Sequence, residues 1–180
     1  MEVTSCGENG IGYQLIPEKL TAMVGSVIIK MSKWNDKKRI ESKMEVKTYI
    51  ERLKYAIESD SFTINIQKNR QVDRQRDRKY TNRYTISKLF SSEDEVEALK
   101  RELTYLVVGD YIETVKDIRF PKKSEMRVFG KEYTGEDVYI KIRVELLNME
   151  YANGDNFILV MSFHFSERDF KESDFPYRNS

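Results

Sequence analysis

One cysteine, one histidine, one tryptophan and three prolines are all that the 180 residues hold of those types. Cys6 alone allows no intrachain disulfide and no cysteine-based zinc site. His164 alone rules out a two-histidine metal site. A carboxylate-bound magnesium ion stays open, although no Asp/Glu cluster stands out from ordinary surface charge, and no cofactor is expected. No apolar run approaches the ~18–20 residues that span a bilayer. Val24 to Ile29 is short and broken by Gly25 and Ser26, and no small-residue cleavage site follows it, unlike a signal peptide. A soluble, cytoplasmic protein without a membrane partner is the expectation.

Aromatic residues, by contrast, are plentiful: 11 Tyr and 9 Phe, with 39% hydrophobic residues overall. That suffices for one real core. The net charge of +1 conceals an uneven distribution. Lys30 to Arg83 carries 16 Lys/Arg against 8 Asp/Glu, and Tyr84 to Ser180 carries 14 against 19. A basic half of this kind faces either solvent or an acidic partner such as nucleic acid.

Along the chain, residues 1–30 lack a period and are punctuated by Gly7, Gly10, Gly12 and Pro17, so they read as an N-terminal extension. Met31-Ser32-Lys33-Trp34 reads as an internal start, and 31–180 as a single domain. Val46, Tyr49, Ile50, Leu53, Ala56 and Ile57 recur at helical spacing and predict an amphipathic helix ending at Ser59-Asp60-Ser61. Phe62, Ile64 and Ile66 alternate as a strand. Residues 67–83 show no apolar period and read as an exposed basic loop. There Arg70, Arg74, Arg76, Arg78, Lys79, Tyr80 and Arg83 are candidates for RNA contact, because arginine forks grip phosphate and tyrosine stacks on bases. Tyr84 to Leu89 reads as a short second strand. Ser92 and Glu95 have capping-box spacing before a second helix with Val96, Leu99, Leu103, Leu106 and Val107 on its buried stripe. Gly109 interrupts or ends that helix, and Tyr111 to Lys116 fits either a helical turn or an extended piece. Met126 to Tyr133 is a strand, Thr134 to Asp137 a turn, and Val138 to Leu146 alternates with a period of two. Asn153-Gly154 is a strong hairpin signal, with a return strand from Asn156 to Ser166 and a polar tail from Glu167. The expected fold is α+β: a mostly antiparallel sheet with two helices packed on one side.

With Asn153-Gly154 as the two central turn residues, Ala152 pairs with Asp155. Arg143 then falls opposite His164, Lys141 opposite Ser166, and Glu145 opposite Ser162. Tyr139 shares the face of Lys141. On the return strand, Phe157, Leu159, Met161, Phe163 and Phe165 share one face, and Ile158, Val160, Ser162, His164 and Ser166 the other. Tyr139, Lys141, Arg143 and His164 therefore gather a phenol, an ammonium, a guanidinium and an imidazole. Metal-free RNA cleavage needs such groups: a base for the 2′-hydroxyl, cations for the transition state, and an acid for the leaving 5′-oxygen. The same face also fits a plain solvated sheet surface.

Val138-Tyr139-Ile140-Lys141-Ile142 and Leu159-Val160-Met161-Ser162-Phe163-His164 resemble the ending of the MqsR-type toxins, messenger-RNA interferases of RelE-like fold. The resemblance covers about the last two-thirds of the chain. It places the family's catalytic tyrosine on Tyr139, the following lysine on Lys141 and the C-terminal catalytic lysine on His164. The family's Tyr-Lys pair falls near Ile112 and Glu113, with Lys116 the nearest base, and Arg127 or Lys131 stands in for its glutamine. The resemblance implies a metal-free endoribonuclease of toxin-antitoxin type, encoded by a phage or mobile element in one version and directed at a guide RNA. The alternative is a non-catalytic binding protein: an anti-CRISPR inhibitor of a Cas nucleoprotein, or a partner to an antitoxin.

Overall fold

The structure is a computed structural model that describes residues 36–59, 62–117, 121–146 and 156–179. The extension 1–30 and the Asn153-Gly154 turn lie outside these residues. Helix α1 (Lys43–Glu58) starts on a reciprocal capping box, with the Ser42 hydroxyl accepting from the Glu45 amide and the Glu45 carboxylate accepting from the Ser42 amide. Its predicted stripe is the buried one: Val46, Tyr49, Ile50, Leu53 and Ala56.

Six strands form one sheet: β1 (Asp36–Arg39), β2 (Phe62–Ile66), β3 (Tyr111–Asp117), β4 (Met126–Tyr133), β5 (Glu136–Glu145) and β6 (Asn156–Phe165), in the order β1-β3-β4-β5-β6-β2. All neighbours are antiparallel except the parallel pair β2–β6. The α+β class and mostly antiparallel sheet are as expected. Tyr111 to Lys116 resolves as strand, and β1 is an added edge. Thr134 and Gly135 both take positive φ, 52° and 81°, and close the β4–β5 hairpin as a two-residue turn of the kind whose twist matches the strands.

Among the described residues three helices, not two, accompany the sheet. Tyr84 to Leu89, read as a strand, belongs to helix α2 (Asn82–Leu89), so the basic stretch 67–83 is not one loop. It holds two 3₁₀ turns, Gln71–Gln75 and Arg78–Tyr80, and runs into α2. The Thr81 hydroxyl caps α2 by accepting from the Tyr84 amide. Asn82, Thr85 and Ile86 then face inward at helical spacing, a pattern too short to separate from strand alternation in sequence. The polar pair has a purpose. Strand β2 covers β6 only as far as Val160. Beyond it, the Asn82 side chain accepts from the Phe163 amide and donates to the Met161 carbonyl, while the Thr85 hydroxyl accepts from the Phe165 amide. Helix α2 thus satisfies the sheet edge that β2 leaves bare.

Helix α3 (Glu95–Thr104) is capped by Asp94, not Ser92; its carboxylate accepts from the Val96 and Glu97 amides. Leu99, Leu103 and Leu106 are buried as expected, whereas Val96 and Val107 are exposed. Side chains from all three helices join Phe129, Val138, Ile140, Ile142, Ile158, Val160, Phe163 and Phe165 in one core. No helix among the described residues is long and apolar enough to cross a membrane.

The polar segment after β6 is not a free tail. Phe175 is buried, and the Tyr177 hydroxyl donates to the Glu41 carbonyl. Arg168 and the Lys171 amide both bond Asp174, whose carboxyl falls to about 2 in consequence. The Phe170 ring lies over Gly130 in mid-β4. A Cβ there meets Phe170 Cε2 at 2.6 Å and Ile112 Cδ1 at 2.9 Å. Gly130→Ala is therefore expected to destabilise the fold by about 1–3 kcal/mol in urea unfolding, since packed cores resist an added methyl. A loss below about 0.5 kcal/mol would mean that Phe170 moves aside freely.

Candidate functional site

The β5–β6 register decides which polar groups meet. Tyr139 pairs with His164 and Lys141 with Ser162, four residues from the predicted register. The register then slips at Met161, so that Ile142 pairs with Val160, Arg143 with Leu159 and Glu145 with Phe157. This β-bulge re-aims the strand. It puts Ile158 and Val160 in the core together with Phe163 and Phe165, which the alternation in sequence had assigned to opposite faces. Inserting one residue inverts the face of everything beyond it.

Tyr139 and His164 are consequently stacked, with ring centres 5.5 Å apart and planes 20° apart. Lys141 is on the next row. Arg143 does not face His164: it is four residues from Tyr139, about 13 Å along the strand, with its Nε 3.1 Å from Glu145 Oε1.

The 3₁₀ segment brings the two candidate regions together. Arg70 Nη1 donates to Ser162 Oγ and to the Met161 carbonyl, both at 3.0 Å. Its other edge is held by Asp73. Arg76 Nη1 lies 3.2 Å from His164 Nε2, and Arg76 Nε lies 2.8 Å from Glu167 Oε1. His164 Nδ1 lies 2.9 Å from the Phe165 carbonyl. A carbonyl only accepts and a guanidinium only donates, so the proton sits on Nδ1 and Nε2 carries the lone pair. His164 is 6% exposed. Burial, followed by the charges of Arg76 and Arg70, pushes its pKa down to about 4, against the opposing bond to Phe165.

Other candidates fall elsewhere. Lys79 pairs with Glu136, which raises its pKa. Arg78 and Arg83 line an open cleft of about 740 Å³ with Thr81, Tyr84, Ser87, Lys88 and Glu95. Tyr80 and Arg76 line a second cleft of about 460 Å³ with Val72, Gln75, Asp77 and Glu167. Arg74 is exposed on the first 3₁₀ turn. Arg127 bonds Glu41 and covers the Tyr49 ring on the helix side of the sheet, and Lys131 lies over the Tyr105 and Tyr133 rings. Lys116, on β3, bonds the Lys123 carbonyl. These three are not brought to the Tyr139–His164 pair. Asp73 and Glu167, which hold the arginines, were not marked as site residues by any pattern in the sequence, whereas Ser162 was placed on the face of His164 but without its contact to Arg70. Among the described residues no group of three or more His, Cys, Asp or Glu is placed to hold a metal ion.

Comparison with family models, curated proteins and solved structures finds no match for this chain.

A buried neutral imidazole makes stability depend on pH. Unfolded histidine titrates near 6.5, and the folded group, facing Arg76, Arg70, Asp73 and the Tyr139 ring, titrates near 4. Between these values the unfolded chain binds more protons, so this stability is complete above about pH 6.5 and is lost as pH falls towards 4. From pH 7 to pH 5 the loss is expected to be about 2 kcal/mol. His164→Gln removes this component, so urea unfolding of the variant shows a shallower pH dependence. Parallel curves for the two proteins would contradict the assignment.

Proposed function

We propose that the chain acts on RNA as a metal-free endoribonuclease, on the face of the β5–β6 pair where Arg70 and Arg76 meet β6. The observation that carries this is the convergence of Arg70 and Arg76 on Ser162 and His164 beside Tyr139 and Lys141. The parts match the reaction. His164 Nε2 holds a lone pair, and Nδ1 is fixed by the Phe165 carbonyl, which orients the ring as catalytic histidines are oriented. Nε2 removes the 2′-hydroxyl proton. The 2′-oxygen attacks phosphorus, the bond from phosphorus to the 5′-oxygen breaks, and the Lys141 ammonium protonates that oxygen. A 2′,3′-cyclic phosphate and a 5′-hydroxyl result. Arg70 and Arg76 offset the charge on the phosphorane-like transition state. The resemblance to MqsR-type toxins supports the same reading through Tyr139, Lys141 and the position of His164. Incubation of the purified chain with messenger RNA and guide RNA, with and without EDTA, tests it: cleavage that survives EDTA and is lost in His164→Ala is the expected result.

A second reading, binding without cleavage, is favoured by one observation: both His164 nitrogens are already engaged. Here the cleft with Arg78, Arg83, Tyr84 and Lys88 would grip RNA or a ribonucleoprotein. Neutralising those cations would abolish salt-sensitive binding while the sheet-face variants stay silent.

A further inference from the structure

We propose that Arg76 is an anion-operated latch on His164, with its phosphate site in the cleft formed by Val72, Gln75, Arg76, Asp77, Tyr80 and Glu167. A phosphate entering that cleft replaces Glu167 and His164 as the partner of the guanidinium and uncovers Nε2. The proposal deepens the function above by giving its site a closed and an open state, and it rests on that reading only in taking the natural anion to be a phosphodiester.

Three observations carry it. Arg76 reaches in two directions, with Nε on Glu167 at 2.8 Å and Nη1 on His164 Nε2 at 3.2 Å. Nη1 also contacts the Tyr80 carbonyl at 3.4 Å, and Asp73 Oδ1 stands 4.0 Å away. These contacts use Nε and Nη1 and leave Nη2 for an incoming oxygen; the guanidinium has five N–H donors in all. The same guanidinium lines a cleft of about 460 Å³, so the latch is reachable from solvent although His164 is not.

The contacts that hold the latch are the kind an anion can displace. Glu167 is 57% exposed, and exposed ion pairs are worth little. The bond to His164 runs to a neutral nitrogen. A phosphate takes two parallel charge-assisted bonds from the fork, which are shorter and stronger. Asp73 holds Arg76 only at a distant 4.0 Å, because both of its carboxylate oxygens are committed to the Nε–Nη2 edge of Arg70.

The chain has a single histidine, so its two imidazole ¹⁵N signals need no residue assignment, and the protonated Nδ1 is told from the bare Nε2 by its shift. The probe is inorganic phosphate, titrated into the full chain with chloride at matched ionic strength as control. Phosphate is expected to shift the Nε2 resonance saturably, and chloride is not. Glu167→Gln weakens the latch at an exposed position, so half-saturation is expected at several-fold lower phosphate. In Arg76→Met the Nε2 signal is expected to differ from wild type at the outset and not to respond to phosphate. An Nε2 signal that phosphate leaves unmoved in wild type, or moves equally in Arg76→Met, overturns the latch. A phosphate response without any RNA cleavage keeps the latch and rejects the endoribonuclease; EDTA-resistant cleavage with an unresponsive Nε2 does the reverse.

Discussion

His164→Ala is expected to lower RNA cleavage by about 10²–10⁴-fold, the usual contribution of a positioned general base, while circular dichroism and cooperative unfolding persist. The residue is buried, but its ring contacts are few and specific: a stack on Tyr139, a bond donated by Nδ1 to the Phe165 carbonyl and one accepted by Nε2 from Arg76. Tyr139→Phe is the sharper companion. It keeps the stacked ring and removes only the hydroxyl, so a loss of cleavage there belongs to the phenol and not to packing. A base with a pKa near 4 is weak at neutral pH. The neighbouring Arg76 charge is part of the cause, and moving that charge onto a phosphate raises the imidazole towards its ordinary range. Activity is thus expected to switch on with substrate engagement. Undiminished cleavage in both variants would remove the β5–β6 face from the mechanism and leave the Arg78–Lys88 cleft as the functional surface.

Legibility in the sequence followed the length and regularity of the signal. Helix α1 was readable because six apolar residues keep the 3.6 period over three turns, whereas its Ser42–Glu45 capping box was not singled out. Strands β4, β5 and β6 were readable from alternation. Failures came where one residue decides the outcome. The bulge at Met161 has no marker such as glycine, yet it changes which side chains meet His164. Helix α2 is eight residues long, and its inward face is polar, because Asn82 and Thr85 answer backbone groups of β6 that no local pattern reveals. The basic stretch stood out in sequence for its arginines. Two of them turn inward and meet Asp73 and Glu167, partners three residues away in one case and 91 in the other. The candidate site was therefore legible in its members Tyr139, Lys141 and His164, and not in their arrangement.

Glu41→Ala is expected to destabilise the fold by about 3 kcal/mol, the largest stability effect foreseen for a single polar residue here. Glu41 lies just before α1 and is 1% exposed. Its carboxylate accepts from Arg39 Nη2 at 2.7 Å, from Arg127 Nη2 at 2.6 Å and from Arg127 Nε at 3.1 Å. Its amide donates to the Tyr111 hydroxyl, and its carbonyl accepts from Tyr177. One residue thus ties β1, β3, β4 and the C-terminal segment together. Removing the carboxylate leaves Arg127 largely buried above the Tyr49 ring, 4.4 Å from its centre, without its ion-pair partner and with only the carboxylates of Glu45 and Glu125 farther off. Arg39 loses less, being half-exposed and paired also with Glu125. The cost is therefore chiefly the stranded Arg127 charge, and that makes the effect separable. Glu41→Leu combined with Arg127→Met removes both charges and keeps the volume, and buried pairs replaced in this way often lose little. The double variant should unfold at higher urea than Glu41→Ala alone. If the single variant loses less than about 1 kcal/mol, or the double loses more than the single, the junction is held by packing of Tyr49, Tyr111 and Tyr177 and not by the ion pair.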